Sequence, residues 1–156
     1  LGNDYRKIEL FYSLLMTLPG APFLYYGDEI GMNDAPELPD RDAVRTPMQW
    51  EPGEGAGFST AAHTRRPIVG GVGISVEEQL ADDASLLHRL RGLIQQRKVH
   101  PELGTAPFEA VETGHTGVLG FQRGELLCLH NFTEHTVDLG PVELGPFGYA
   151  WLPVEV

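Results

Sequence analysis

LPGAPFLYYGDEIGM, residues Leu18–Met32, is the stretch whose reading decides the fold. Pro19 cannot continue a helix and Gly20 suits the turn after one, so together they close off whatever precedes them. Pro22 to Tyr26 is then apolar or aromatic at every position rather than at alternate ones. Such a run predicts a strand covered on both faces, as in a parallel sheet wrapped by helices. At Gly27-Asp28-Glu29 the chemistry turns acidic. Ligands in barrels and open sheets of this kind meet the chain at the carboxyl ends of strands, which puts Asp28, Glu29 and the following loop on the ligand side.

Working outward, Asn3 to Leu18 predicts a helix. Asn3 or Asp4 can cap it, and Ile8, Phe11, Tyr12, Leu15 and Leu18 recur at helical spacing, with Leu10, Leu14 and Met16 widening the stripe. Gly31 to Gly73 has little periodicity and is rich in Gly, Pro and Asp, the pattern of a long functional loop. Ser75-Val76-Glu77-Glu78 has the spacing of a capping box, and Asp82-Asp83 offer a second cap. Leu86, Leu87, Leu90, Leu93, Ile94 and Val99 then mark an amphipathic helix that reaches about His100 and stops at Pro101. From Thr105 the pattern changes to short runs of strand character between Gly, Pro and Asn: 108–112, 118–123, 126–132, 136–139 and 149–154. These predict a small antiparallel sheet or sandwich, with a domain boundary near 101–105.

One conflict stands out. The first hundred residues hold one buried strand and no strands to pair with it, and unpaired backbone in such a place is costly. Either other polypeptide brings the remaining strands, or Pro22–Tyr26 is not a strand.

The formal net charge of −11 over 156 residues argues against nucleic acid or an anionic membrane as partner, since both need a basic patch. No apolar run approaches a membrane span of about 18 residues, and no secretory signal precedes the first helix. A single cysteine, Cys128, excludes an internal disulfide and fits a reducing, cytoplasmic compartment. Its apolar setting predicts core filler rather than a reactive thiol.

Leu18–Met32, Arg41–Trp50 (RDAVRTPMQW) and Ala56-Gly57-Phe58-Ser59 resemble the C-terminal part of glycoside hydrolase family 13, the α-amylase family. The first is similar to the stretch around the eighth strand of the family's barrel, the other two to the loop after it. With Leu1–Leu10, the 83–103 helix and Leu144–Trp151, the resemblance is to the trehalose synthase and α-glucosidase branch. It implies the end of a (β/α)8 barrel, residues 1–103, followed by a small antiparallel β-sandwich, residues 104–156. It also implies retaining chemistry at an α-glucosidic bond, on substrates such as maltose or trehalose. An aspartate nucleophile, a glutamate acid/base and a stabilising aspartate next to a histidine carry that chemistry after strands four, five and seven. None of those motifs is present, and no His-Asp pair occurs in the sequence. Retention needs two carboxyls about 5–5.5 Å apart, and no such pair is nominated here. The chain alone is therefore expected to be inactive, with no catalytic residue and no metal ligand of its own. Calcium, frequent in the family, is expected to bind outside it.

The residues that the resemblance nominates are on the substrate side. Arg41 and Asp42 match an Arg-Asp step at the sugar-binding end of the barrel, where the arginine helps hold the non-reducing glucose; Arg45 is the next choice. A guanidinium fork can donate to two hydroxyls at once while a carboxylate holds it in place. A salt bridge internal to the loop is the competing reading. Pro47, Met48 and Trp50 are expected to pack the loop. Pro39-Asp40 stands before Arg41 where relatives often have a glycine. Asp28 and Glu29 point to opposite sides if the chain is extended, so a structural role is expected, with Glu29 bonded to backbone or an arginine. His130 and His135 flank a turn and lack the companions a metal site needs. The second functional class is a non-catalytic carbohydrate-binding or structural module using Phe108, Phe121, Phe132, Phe147, Tyr149 and Trp151, residues expected instead to fill a core.

Overall fold

A computed structural model describes residues 1–2 and 4–154. The chain divides into two compact units, one of residues 1–22 with 92–156 and the other of residues 23–91.

The first unit is built on an antiparallel sheet. Its strands are β1 (Glu109–Val111), β2 (Val118–Arg123), β3 (Leu126–Asn131) and β6 (Tyr149–Pro153), in the order β1-β2-β3-β6. A two-stranded ladder of β4 (Val137–Asp138) and β5 (Glu143–Leu144) completes it. Strand alternation sorts the side chains. Val118 and Leu129 pack with Leu144 of the ladder, joined by Leu127, Val137, Ala150 and Leu152. Phe121, Leu126 and Cys128 lie on the opposite face, with Leu103, Leu14, Leu18 and Trp151. Four residues of β3 in succession, Cys128 to Asn131, are buried, as a central strand covered on both faces requires. The runs expected at 118–123 and 126–132 are the two long central strands.

Helix α1 (Tyr5–Thr17) covers the Phe121 face. Asp4 is its N-cap, accepting from the Arg6 N–H; the alternative cap, Asn3, lies outside the described residues. The buried face differs from the expected stripe. It comprises Leu10, Ser13, Met16 and Thr17, while Phe11 is exposed and meets Phe132 edge-on at 5.9 Å. Ser13 and Thr17 explain the rotation, because small polar residues let the helix approach the sheet and bond to it. The Trp151 indole N–H donates to Ser13 Oγ at 2.8 Å, and Ser13 Oγ lies 3.0 Å from His130 Nε2. Tyr149 donates to Glu9 at 2.7 Å.

Arg123 closes the end of α1. It is buried, and its guanidinium donates to the carbonyls of Thr17 (2.5 Å), Leu103 (2.9 Å) and Ala106 (3.0 Å). Arg97 donates to the carbonyls of Met16 and Gly20. Two cations thus sit where the last carbonyls of a helix carry partial negative charge. Cys128 is buried, and burial pushes its thiol up to about 12. It is expected to stay inert to an aromatic disulfide reagent in the folded chain and to react only at the unfolding rate; fast labelling under native conditions would contradict this.

The second unit has little regular structure: two 3-10 turns (Asp28–Ile30 and Asp40–Val44), helix α2 (Val76–Leu80) and the start of helix α3 (Leu86–Val99). The capping box is formed, with Ser75 accepting from the Glu78 N–H and Glu78 accepting from the Ser75 N–H. At the start of α3, Gln79 Oε1 accepts from Leu87 N–H at 3.0 Å and Ser85 Oγ from His88 N–H at 3.4 Å, a task that Asp82 and Asp83 were expected to perform. Short helix α4 (Glu102–Thr105) follows α3 and belongs to the first unit.

The segment that decides the fold departs from its expected state. Residues 21–25 carry no strand pairing, and Phe23 is 86% exposed, with Leu24, Tyr25 and Tyr26 also exposed. An apolar strand needs hydrogen-bonded neighbours on both sides, and none of the described strands pairs with it. Its end is nevertheless fixed. Gly27 has φ of 88°, and Asp28 accepts from the Tyr25 N–H at 2.9 Å.

Candidate functional site

The 31–73 stretch is held by side chains that do the work of a missing sheet. Gln49 donates to the Val69 carbonyl at 2.8 Å, and Gln79 donates to those of Ile30 (2.7 Å) and Gly73 (2.9 Å). Thr46 donates to the Asn33 carbonyl at 3.3 Å, and Tyr26 to that of Thr46 at 3.1 Å. The backbone N–H groups of Val76 and Glu77 bond to the carbonyls of Gln49 and Trp50 at 3.0 Å each. Beneath these bonds Ile30, Met48 and Ile74 form a small core.

This framework leaves a cleft of about 430 Å³ in the second unit. Arg45, Arg65 and Arg66 line it together with Glu29, Tyr26, Trp50 and Phe58. Trp50 and Phe58, 50% and 51% exposed, supply flat apolar surface. Trp50, Pro47 and Met48 were expected to pack the loop; all three line the cleft, Pro47 and Met48 as buried residues of its floor and Trp50 as an exposed one. Glu29 accepts from the Gly27 N–H at 2.8 Å. Asp28 and Glu29 are therefore both bonded to backbone, the structural use expected of them.

Arg41 and Asp42 fall on the 3-10 turn 40–44. Asp40 opens it with φ of 51°, a left-handed conformation that Asp tolerates and Gly prefers, at the position where relatives were expected to carry glycine. Arg41 is exposed and is not part of the cleft wall. Asp42 bonds to Arg66 at 2.5 Å. The Arg66 hydrogen bond, and then the charges of Arg66, Arg65 and Arg45, hold the Asp42 carboxyl below its ordinary range against partial desolvation. Of the three nominated residues, Arg45 lines the cleft, Asp42 reaches it through Arg66, and Arg41 stays outside. Arg65 and Arg66 carry no periodic or motif signal; only folding of the loop brings them to Asp42. Among the described residues no three His, Cys, Asp or Glu side chains are grouped so as to hold a metal ion.

A family model described as the α-amylase catalytic domain matches residues 1–106. The chain belongs to the α-amylase family. Trehalose synthase/amylase TreS of Mycobacterium tuberculosis is 40% identical over 158 residues, covering 92% of this chain and 26% of that protein. The trehalose synthase of Pimelobacter is 40% identical over 172 residues, covering 100% of this chain and 30% of that protein. The chain thus spans less than a third of the length of these relatives. Among solved structures, the trehalulose synthase MutB of Pseudomonas mesoacidophila superposes with a TM-score of 0.81 at 20% identity, over 96% of this chain and 38% of that one. This likeness establishes that the chain folds as the corresponding part of such an enzyme does.

Proposed function

We propose that this chain is the C-terminal portion of a retaining α-glucosyl enzyme of the trehalose synthase type, interconverting maltose and trehalose, with α-glucosidase activity as the neighbouring possibility within the same branch. The observation that carries this reading is the 40% identity to trehalose synthases over 92–100% of the chain. Residues 1–103 are read as the end of the barrel and 104–156 as the β domain that follows it. The exposed ribbon Phe23–Tyr26 is read as a strand awaiting its neighbours, which explains why it is apolar on both sides and unpaired. The reacting carboxylates belong to the preceding barrel, so this chain does not turn over sugar by itself. No described helix is long and apolar enough to cross a membrane, and the lone cysteine supports a cytoplasmic setting.

In this reading the cleft is a substrate-side surface. Arg45 donates to glucose hydroxyls beside Trp50, Asp42 fixes the arginine cluster, and Arg41 reaches the sugar only once the rest of the barrel is in place. Of the six aromatics of the sugar-platform alternative, Phe121 and Phe147 are buried, Tyr149 and Trp151 hydrogen-bond to Glu9 and Ser13, Phe132 meets Phe11 edge-on, and Phe108, 41% exposed, stacks on Phe121 at 4.8 Å, which favours packing over a sugar platform.

Joining the chain to an upstream barrel of its relatives, in cis or in trans, is expected to yield trehalose from maltose. Inactivity of the complete protein on every α-glucoside tested would overturn the reading. In that active protein, Arg45→Ala is expected to raise KM for maltose about tenfold, the loss of one charge-assisted contact to substrate, with a smaller effect on kcat. An unchanged KM would remove Arg45 from the substrate surface.

A further inference from the structure

We propose that Arg66 is a positioning residue for substrate: it holds the turn 40–44 by one oxygen of Asp42, so that the Arg41-Asp42 step meets the neutral glucoside in a fixed orientation. This deepens the α-glucoside reading and rests on it for the identity of the ligand.

The turn that carries Arg41 and Asp42 has little else to hold it. None of its residues is buried, so packing does not set its orientation. Its own hydrogen bonds are local, from Asp42 N–H to the Pro39 carbonyl and from Arg45 N–H to that of Asp42, at 3.2 Å each. Its one backbone bond to a more distant segment, among the described residues, runs from Ala35 N–H to the Ala43 carbonyl at 2.9 Å. A single such bond is a pivot. A second tie, made elsewhere on the turn, removes the rotation about it and presents the step in one geometry.

Arg66 supplies that tie from an anchored base. Thr64 Oγ1 donates to the Arg66 carbonyl at 2.6 Å, and Pro67 restricts the backbone on the other side. Two residues further on, the Val69 carbonyl accepts from buried Gln49 at 2.8 Å. The guanidinium therefore reaches Asp42 from a segment pinned before and after it.

The way the pair is made leaves room for a sugar. A guanidinium and a carboxylate can close two parallel bonds, which would occupy both oxygens. Here Arg66 Nη2 donates to Asp42 Oδ1 at 2.5 Å, while the buried Nε–H has no partner and Oδ2 no donor among the described residues. One oxygen is spent on orientation and the other is left for a glucose hydroxyl. The charges are matched inside the protein, as a neutral ligand requires. The two side chains are 25% and 33% exposed, a setting in which an ion pair adds little to stability, so orientation is what the bond contributes.

Maltose kinetics of the complete, active protein test this. Arg66→Gln is expected to raise KM about tenfold and to leave kcat within about twofold, the pattern of a lost binding geometry. Arg66→Lys is expected to recover most of the loss, because an ammonium can make a single end-on bond. In the double variant Arg66→Gln/Asp42→Asn, KM is expected to match that of Asp42→Asn alone, since Arg66 acts through that carboxylate. Effects that multiply in the double variant would overturn the proposal, as would a KM that Arg66→Gln leaves unmoved. A fall in kcat or in folded yield at constant KM marks a bond that serves stability only, and overturns it as well. Inactivity of the parent on every α-glucoside removes the glucoside reading and this proposal together, whereas an active parent indifferent to Arg66→Gln removes the proposal alone.

Discussion

Arg123→Met is expected to lower the unfolding free energy by about 4 kcal/mol, the largest effect of any single substitution outside the apolar core. The guanidinium donates to the carbonyls of Thr17, Leu103 and Ala106, which come from helix α1, helix α4 and the segment after it. Methionine fills a similar volume but leaves these acceptors short of donors, at about 1–3 kcal/mol for each one left unsatisfied. Relief from burying a cation offsets part of this. The offset is limited here because the charge already sits against the negative end of α1. Leu103 keeps a weaker bond from Arg97 at 3.5 Å, which also trims the loss. Arg123→Lys is expected to recover little, since an ammonium on a flexible stem cannot bridge carbonyls from three segments. Urea unfolding of the three proteins measures this. A methionine variant within about 1 kcal/mol of the parent would show that the carbonyls find other donors.

The second large effect is acid lability centred on His130. The ring is fully buried between Phe121, at 5.6 Å and near-parallel, and Tyr149 at 6.4 Å. Burial brings its pKa down from 6.5 to about 4, and its Nδ1 has no partner among the described residues. Between about pH 6.5 and 4 the unfolded chain therefore binds a proton that the folded chain refuses. The contribution is fully present above pH 6.5, falls as the pH is lowered through that window and levels off below pH 4, a total of about 3 kcal/mol. His130→Gln removes the titration. The parent should lose about 3 kcal/mol more than this variant between pH 7 and pH 4, read from urea midpoints across the range. Parallel pH profiles for the two proteins would sink the prediction.

The sequence was legible where the determinants are local. The Ser75–Glu78 capping box, the Asp4 cap and the turn-bounded central strands depend on residues a few positions apart, and they formed as expected. Determinants that lie far apart in the chain were not readable. The buried face of α1 is set by Ser13 and Thr17, whose partners are His130, Trp151 and Arg123, more than a hundred residues away. A hydrophobic stripe cannot register a helix that docks through hydroxyls and carbonyls. The cleft shows the same limit. Arg45 was found through a motif, whereas Arg66 meets Asp42 across 24 positions of irregular loop. The state of Phe23–Tyr26 turned on pairing rather than on composition, and composition alone had suggested burial.

The bare ribbon from Phe23 to Tyr26 also governs how the polypeptide behaves in a tube. Four large apolar side chains in succession, with no charge among them, offer an open template for cross-chain zippering, guarded on one side only by Pro22. Crowding molecules together multiplies such encounters, so turbidity is expected to rise with protein concentration.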